Sequence, residues 1–98
     1  MPHYITLMSW TEQGVKDVAQ SVDRANAARA ALATKGVTLK DIYWTVGAYD
    51  VVCTVEAPDD ATASAALIAL AAQGNLRTTT LRAFTAEEFS DVIKRSAS

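Results

Sequence analysis

The sequence predicts an α+β domain with the element order β-α-β-β-α-β and an added C-terminal helix. Three observations carry this prediction. Two β-prone runs, Tyr43-Trp44-Thr45-Val46 and Asp50-Val51-Val52-Cys53-Thr54-Val55, meet at a single glycine, Gly47. Two Ala-rich stretches with apolar residues at helical spacing lie on either side of that pair. Near the end, Thr85-Ala86-Glu87-Glu88 has the form of a capping box, with Phe84 and Phe89 at the two positions of a hydrophobic staple.

His3 to Trp10 is rich in β-formers and short enough to be the first strand. Thr11 offers a helix cap, but Gly14 stands where a capping box needs Glu or Gln, so a broken first turn is expected. From Ser21 to Lys35, Val22, Ala25, Ala28, Ala31 and Leu32 fall on one helical face, and Gly36 closes the helix at C′. Val37 to Val46 reads as the second strand. Gly47-Ala48 supplies the positive φ of a tight hairpin, and Tyr49 to Ala57 returns as the third strand before Pro58. Asp59 or Asp60 caps a second helix running to about Gln73, with Ala63, Ala66, Leu67, Leu70 and Ala71 as its buried stripe. Leu76 to Ala83 is the fourth strand, and Ala86 to Lys94 the terminal helix. This order is that of the split βαβ, or ferredoxin-like, fold, in which two helices cover one face of a four-stranded antiparallel sheet.

The 98 residues, half of them hydrophobic and a fifth charged, suit one globular domain over residues 1–95, with 96–98 as a fraying tail. The net charge of -2 and the scattered Lys and Arg residues exclude a basic stripe for nucleic acid. No run approaches the roughly 18 apolar residues of a membrane span. The N-terminus has neither the basic start nor the apolar segment of a secretion signal, so a cytoplasmic protein is expected. With one cysteine and one histidine, no zinc set is available, no metal or cofactor is expected, and Cys53 reads as a small buried hydrophobe.

Alternation divides each strand into two faces. The more apolar set, Ile5, Leu7, Ile42, Val46, Val51, Cys53, Val55, Leu81 and Ala83, is assigned to the helices. The other set contains Tyr4, Thr6, Met8 and Trp10, then Tyr43 and Thr45, Asp50, Val52, Thr54 and Glu56, and finally Thr78, Thr80 and Arg82. That second set is too apolar for water and too polar for a dry core, which predicts a homodimer or higher homo-oligomer with two sheets face to face around a partly wet cavity. Tyr4, Thr6, Met8, Tyr43, Thr45, Tyr49, Asp50, Thr78, Thr80 and Arg82 are the candidate ligand-binding residues. His3 alternates with Tyr4 and is expected on the helix side. Tyr49 and Asp50, adjacent on a strand, point to opposite faces, and Arg82 is expected to pair with Asp50 or Glu56.

The segments Tyr43-Trp44-Thr45-Val46-Gly47-Ala48-Tyr49-Asp50, Val55-Glu56-Ala57-Pro58-Asp59-Asp60 and Gly74 to Phe84 together resemble the GYD-domain family of small bacterial proteins, with Gly47, Tyr49 and Asp50 matching the signature. The resemblance implies a dimeric α/β barrel and carries no established activity with it. The preferred expectation is a protein that binds a small, partly apolar molecule in the cavity between the sheets of a homodimer. A cofactor-free monooxygenase or isomerase using Tyr43, Tyr49, Asp50 or His3 as acid or base is one alternative. A structural or partner-binding oligomer without a ligand is the other.

Overall fold

Cross-strand pairing decides which side chains this chain buries. In a computed structural model, which describes residues 1–97, four strands form one antiparallel sheet in the order β2-β3-β1-β4. They are β1 (His3–Trp10), β2 (Thr38–Trp44), β3 (Val51–Glu56) and β4 (Leu76–Ala83). Helices α1 (Glu12–Lys16) and α2 (Ser21–Thr34) follow β1, α3 (Asp60–Ala71) joins β3 to β4, and α4 (Ala86–Ser96) ends the chain. The ferredoxin-like arrangement is therefore present. Of the expected fraying tail, Ser96 closes α4, Ala97 is its C-cap, and Ser98 lies outside the described residues.

The helix boundaries follow from their capping chemistry. The Asp59 carboxylate accepts from the Thr62 amide at 2.7 Å and starts α3. Gly36, with a φ of 81°, lets the chain leave α2. At α4 the reciprocal capping box is complete, with the Glu88 amide donating to Thr85 Oγ1 and the Thr85 amide donating to Glu88 Oε1. The Thr85 amide holds the Glu88 carboxyl below the usual carboxylate range. The Phe84 and Phe89 rings lie 6.4 Å apart across the helix start.

Strands β1 and β4 are turned over relative to the expectation from apolarity. Tyr4, Thr6 and Met8 pair with Val55, Cys53 and Val51, and all six are buried. They form the core with Leu39, with Leu32 of α2, and with Ala63 and Ala66 of α3. Across β4 the same face carries Leu76, Thr78, Thr80 and Arg82, which pair with Trp10, Met8, Thr6 and Tyr4. Ile5, Leu7, Leu81 and Ala83, expected under the helices, stand on the open face with Val52 and Thr54, and so does His3. Helices faced with alanine are thin, so the large side chains that fill the layer come from the sheet. The buried hydroxyls of Tyr4 and Thr6 have partners, since Tyr4 Oη donates to Asp60 and the Thr6 and Thr80 hydroxyls lie 3.5 Å apart.

The hairpin is also longer than expected. β2 ends at Trp44 and β3 begins at Val51, so Thr45, Tyr49 and Asp50 belong to the connection. Gly47, with a φ of 143°, adopts a backbone that favours glycine. Asp50 bonds sideways to β1, its amide donating to Met8 O at 2.9 Å and its Oδ2 accepting from the Trp10 amide at 3.0 Å. In β2 the register shifts between Leu39 and Asp41, leaving Lys40 as the extra residue of a bulge. Leu39 thereby stays in the core while Asp41 faces outward opposite Thr54.

The first turn of α1 is capped rather than broken, and Gly14 meets a close approach of the chain at Asn75. Thr11 caps the helix through the Gly14 amide at 3.1 Å and donates its hydroxyl to Gly74 O at 2.6 Å. A Cβ on Gly14 would lie 2.0 Å from the backbone oxygen of Asn75. Gly14→Ala is therefore expected to destabilise the fold by about 1–3 kcal/mol, as overpacking against an immobile backbone does, measured as a lower urea midpoint.

Candidate interaction surface

Among the described residues no helix packs over the outward side of the sheet. β1 contributes His3, Ile5 and Leu7 there, β3 contributes Val52, Thr54 and Glu56, β2 contributes Asp41 and Tyr43, and β4 contributes Thr79 and Leu81. A depression of about 290 Å³ at one end is lined by His3, Ile5, Lys40, Asp41, Glu56 and Phe84, among others. Inside it His3 Nδ1 lies 3.4 Å from Glu56 Oε1, and Thr54 Oγ1 donates to Asp41 Oδ2 at 3.1 Å. Among the described residues no group of three His, Cys, Asp or Glu side chains is placed to hold a metal ion.

α4 adds a second uncovered surface. It is an eleven-residue helix in which no residue is buried, and Phe89, Val92 and Ile93 are exposed along one flank. The Cα radius of gyration is 14.8 Å, against about 13 Å for a compact domain of this length, and the longest dimension is 52 Å. A helix this short is marginal on its own in water, because one amphipathic face normally supplies most of its stability by packing.

The ten residues singled out from the sequence do not form one site. Tyr43 alone faces outward from a strand on the open side. Thr45, Tyr49 and Asp50 sit in the connection, where Thr45 Oγ1 donates to Tyr49 O at 2.6 Å and Asp50 holds the loop to β1. Met8 is core. Tyr4, Thr6, Thr78, Thr80 and Arg82 are on the helix side, with Thr80 and Arg82 exposed at the edge strand. The Arg82 guanidinium lies 4.5 Å from the Phe84 ring centroid and 5.6 Å from that of Tyr4. Its Nε is 3.8 Å from Asp60, so its ionic partner is the first turn of α3 rather than Asp50 or Glu56.

Asp41, Glu56 and Lys40 are not among the candidates that the sequence offers, and His3 enters there only as an alternative acid or base. The signal for them lay in pairing. Once Val51, Cys53 and Val55 are assigned to the core, Thr54 and Glu56 face outward, and the antiparallel register brings His3 and Asp41 to them. Cys53 is buried as expected, and burial pushes its thiol up to about 11, so it is protonated at neutral pH.

The matching segments around the hairpin now have a structural meaning, since Asp50 ties that connection to the central strand. The GYD domain family model matches residues 4–93. The chain belongs to the GYD domain family. It is 34% identical over 84 residues to the glutamine synthetase and cystathionine beta-lyase binding protein of Thermus thermophilus, an alignment covering 85% of this chain and 88% of that relative. No solved structure matches the chain. No helix among the described residues is long and apolar enough to cross a membrane.

Two outcomes follow for this GYD domain. Burial, with the Asp60 hydrogen bond and charge beside it, pushes the Tyr4 phenol up to about 12 from its ordinary 10. The folded state therefore holds that proton more tightly than the unfolded chain, so stability present below pH 10 is lost as pH rises towards 12. A spectrophotometric titration should show one late phenol that Tyr4→Phe removes. Asp50→Ala, which leaves the Trp10 amide without its acceptor, is expected to cost about 1–3 kcal/mol in chemical denaturation.

Proposed function

We propose that this GYD domain is a protein-interaction module that assembles with its own copy through the open sheet face and docks onto a larger protein partner. The observation that carries this reading is the uncovered apolar surface. Ile5, Leu7, Val52 and Leu81 stand together on the sheet, Tyr43 is 64% exposed, and Phe89 and Ile93 on α4 are 49% and 55% exposed. An apolar surface of that extent marks an interface in a water-soluble protein. Two such faces in contact supply the isologous patch that a two-fold dimer requires. The name of the Thermus relative, a binding protein for two enzymes, supports a partner-binding role, and glutamine synthetase and cystathionine beta-lyase are the partners to test first.

The depression at His3 and Glu56 favours a second reading, in which a small, partly apolar molecule sits in the cavity enclosed when two sheets face each other. Its polar contacts would come from His3, Glu56, Asp41 and Tyr43. Thr6 and Met8 are committed to the core and take no part.

Sedimentation of the purified protein decides between an assembled and a solitary chain. The wild type is expected as a dimer or a multiple of it. Leu81→Lys, which sets a charge on the edge strand of the open face beside Ile5, is expected to give folded monomer. A monomeric wild type would overturn the assembly reading. Titration of the two named enzymes against wild type and Ile93→Asp then tests docking, with binding expected for the former and a large loss for the latter.

A further inference from the structure

The two edges of the sheet are built differently. Strand order leaves β2 and β4 outermost, each hydrogen-bonded to a single neighbouring strand. β2 is interrupted by the bulge at Lys40, and Lys40 and Asp41 set charges along it. A bulge and charged side chains are devices by which an edge avoids adding another strand. β4 is the longer edge and has no bulge. Its eight residues, Leu76–Ala83, pair with Trp10 to His3 in unbroken register. It contains neither proline nor glycine, and Thr79, Thr80, Leu81 and Arg82 are exposed. Its outer side is a row of backbone N–H and C=O groups with no strand of the described residues beside it, which is a template for strand addition.

The side chains decide which strand fits. Arg77 and Arg82 are the charged residues of β4, and it carries no acid. Residues directly opposite in an antiparallel pair share a face, and like charges placed there are destabilising. Pairing β4 with its own copy over all eight residues would set Arg77 against Arg82 at both ends. A shift of one position, centred on Thr79, removes that clash. Thr79 then meets Thr79, Thr78 meets Thr80, Arg77 meets Leu81 and Leu76 meets Arg82. Three adjacent threonine pairs fall at the centre, where opposed hydroxyls hydrogen-bond. The opposite shift, centred on Thr80, keeps one such pair. Arg82 leaves the edge clear, because its guanidinium lies against Asp60 and the rings of Tyr4 and Phe84 of its own chain.

We propose that β4 binds β4 of a second copy of this chain in an antiparallel ladder centred on Thr79, joining two four-stranded sheets into one continuous sheet. Same-face residues meet in this register, so the helices of both copies stay on one side. A two-fold axis perpendicular to the sheet relates the copies, which makes the contact isologous and closed. It uses the rim of the sheet and not the open face, so it stands apart from the assembly proposed above. Where both contacts form, their perpendicular two-fold axes give a tetramer.

The test is disulfide trapping in the full chain. Thr79→Cys places two thiols across the axis, where opposed Cα atoms lie about 4.5–5.5 Å apart and within disulfide reach. Arg77→Cys, on the same strand, leaves its two thiols about 14 Å apart. Both are combined with Val52→Lys, which charges the open face on β3 and removes the face contact as a route to trapping. The native Cys53 is buried and does not compete. With oxidised glutathione, Thr79→Cys is expected to give a covalent dimer on a non-reducing gel and Arg77→Cys to remain monomeric. No dimer from Thr79→Cys, or equal trapping of the two variants, overturns the proposal. Should Val52→Lys fail to fold, amide hydrogen exchange of the wild type decides. An unpaired edge exposes every second amide, whereas the ladder protects both sets from Leu76 to Arg82. Alternating exchange along β4 overturns the proposal and leaves the open-face reading standing, and a trapped edge dimer without a face dimer does the reverse.

Discussion

The register of β1 between β3 and β4 is the constraint on which the rest of this GYD domain depends. β1 is hydrogen-bonded on both edges, and its pairing with β3 puts Tyr4, Thr6 and Met8 on the same side as Val55, Cys53 and Val51. Side chains alternate along a strand, so a slip of one residue would exchange the entire core set for the outward set. Asp50 reinforces the chosen register by bonding to β1 at Met8 and Trp10, just beyond the last pair of the ladder. The family's signature aspartate therefore acts here as a lateral tie between the hairpin and the central strand.

That register decides how the helices must be faced. Tyr4, Met8 and Trp10 are bulky, and the helices above them present alanines, with Leu32 and Leu67 as their largest buried side chains. The match is close over Tyr4, where Asp60 at the start of α3 satisfies the phenol, and loose over Trp10, where a cavity and an unpaired indole N–H remain. One side of the layer is thus closely packed and the other is not.

The open face and α4 are the complement of that core. Ile5, Leu7 and Val52 are outward because their neighbours are inward, and they gather with Leu81 and Tyr43 into an apolar sheet surface rimmed by His3, Glu56 and Asp41. α4 is locally well specified by its capping box, yet Phe89, Val92 and Ile93 stay exposed among the described residues. The proposed interaction role rests on these two surfaces, and a relative is named for the enzymes it binds.

The order of strands and helices, their approximate ends, the α4 capping box and the burial of Cys53 were all determined by the sequence alone. Each depends on neighbours a few residues apart, through helical spacing, cap hydrogen bonds and turn-forming glycines. The faces of β1 and β4 were decided by tertiary structure. Ile5 and Leu7 are more apolar than Tyr4 and Thr6, and composition alone puts them inside. Two contacts distant in sequence reverse that order, Tyr4 to Asp60 and Thr6 to Thr80, because a satisfied polar group loses most of its burial penalty. The same holds for the candidate site. His3, Asp41 and Glu56 come together only through pairings between strands far apart in the chain, and the residue spacing within any one strand carries no record of them.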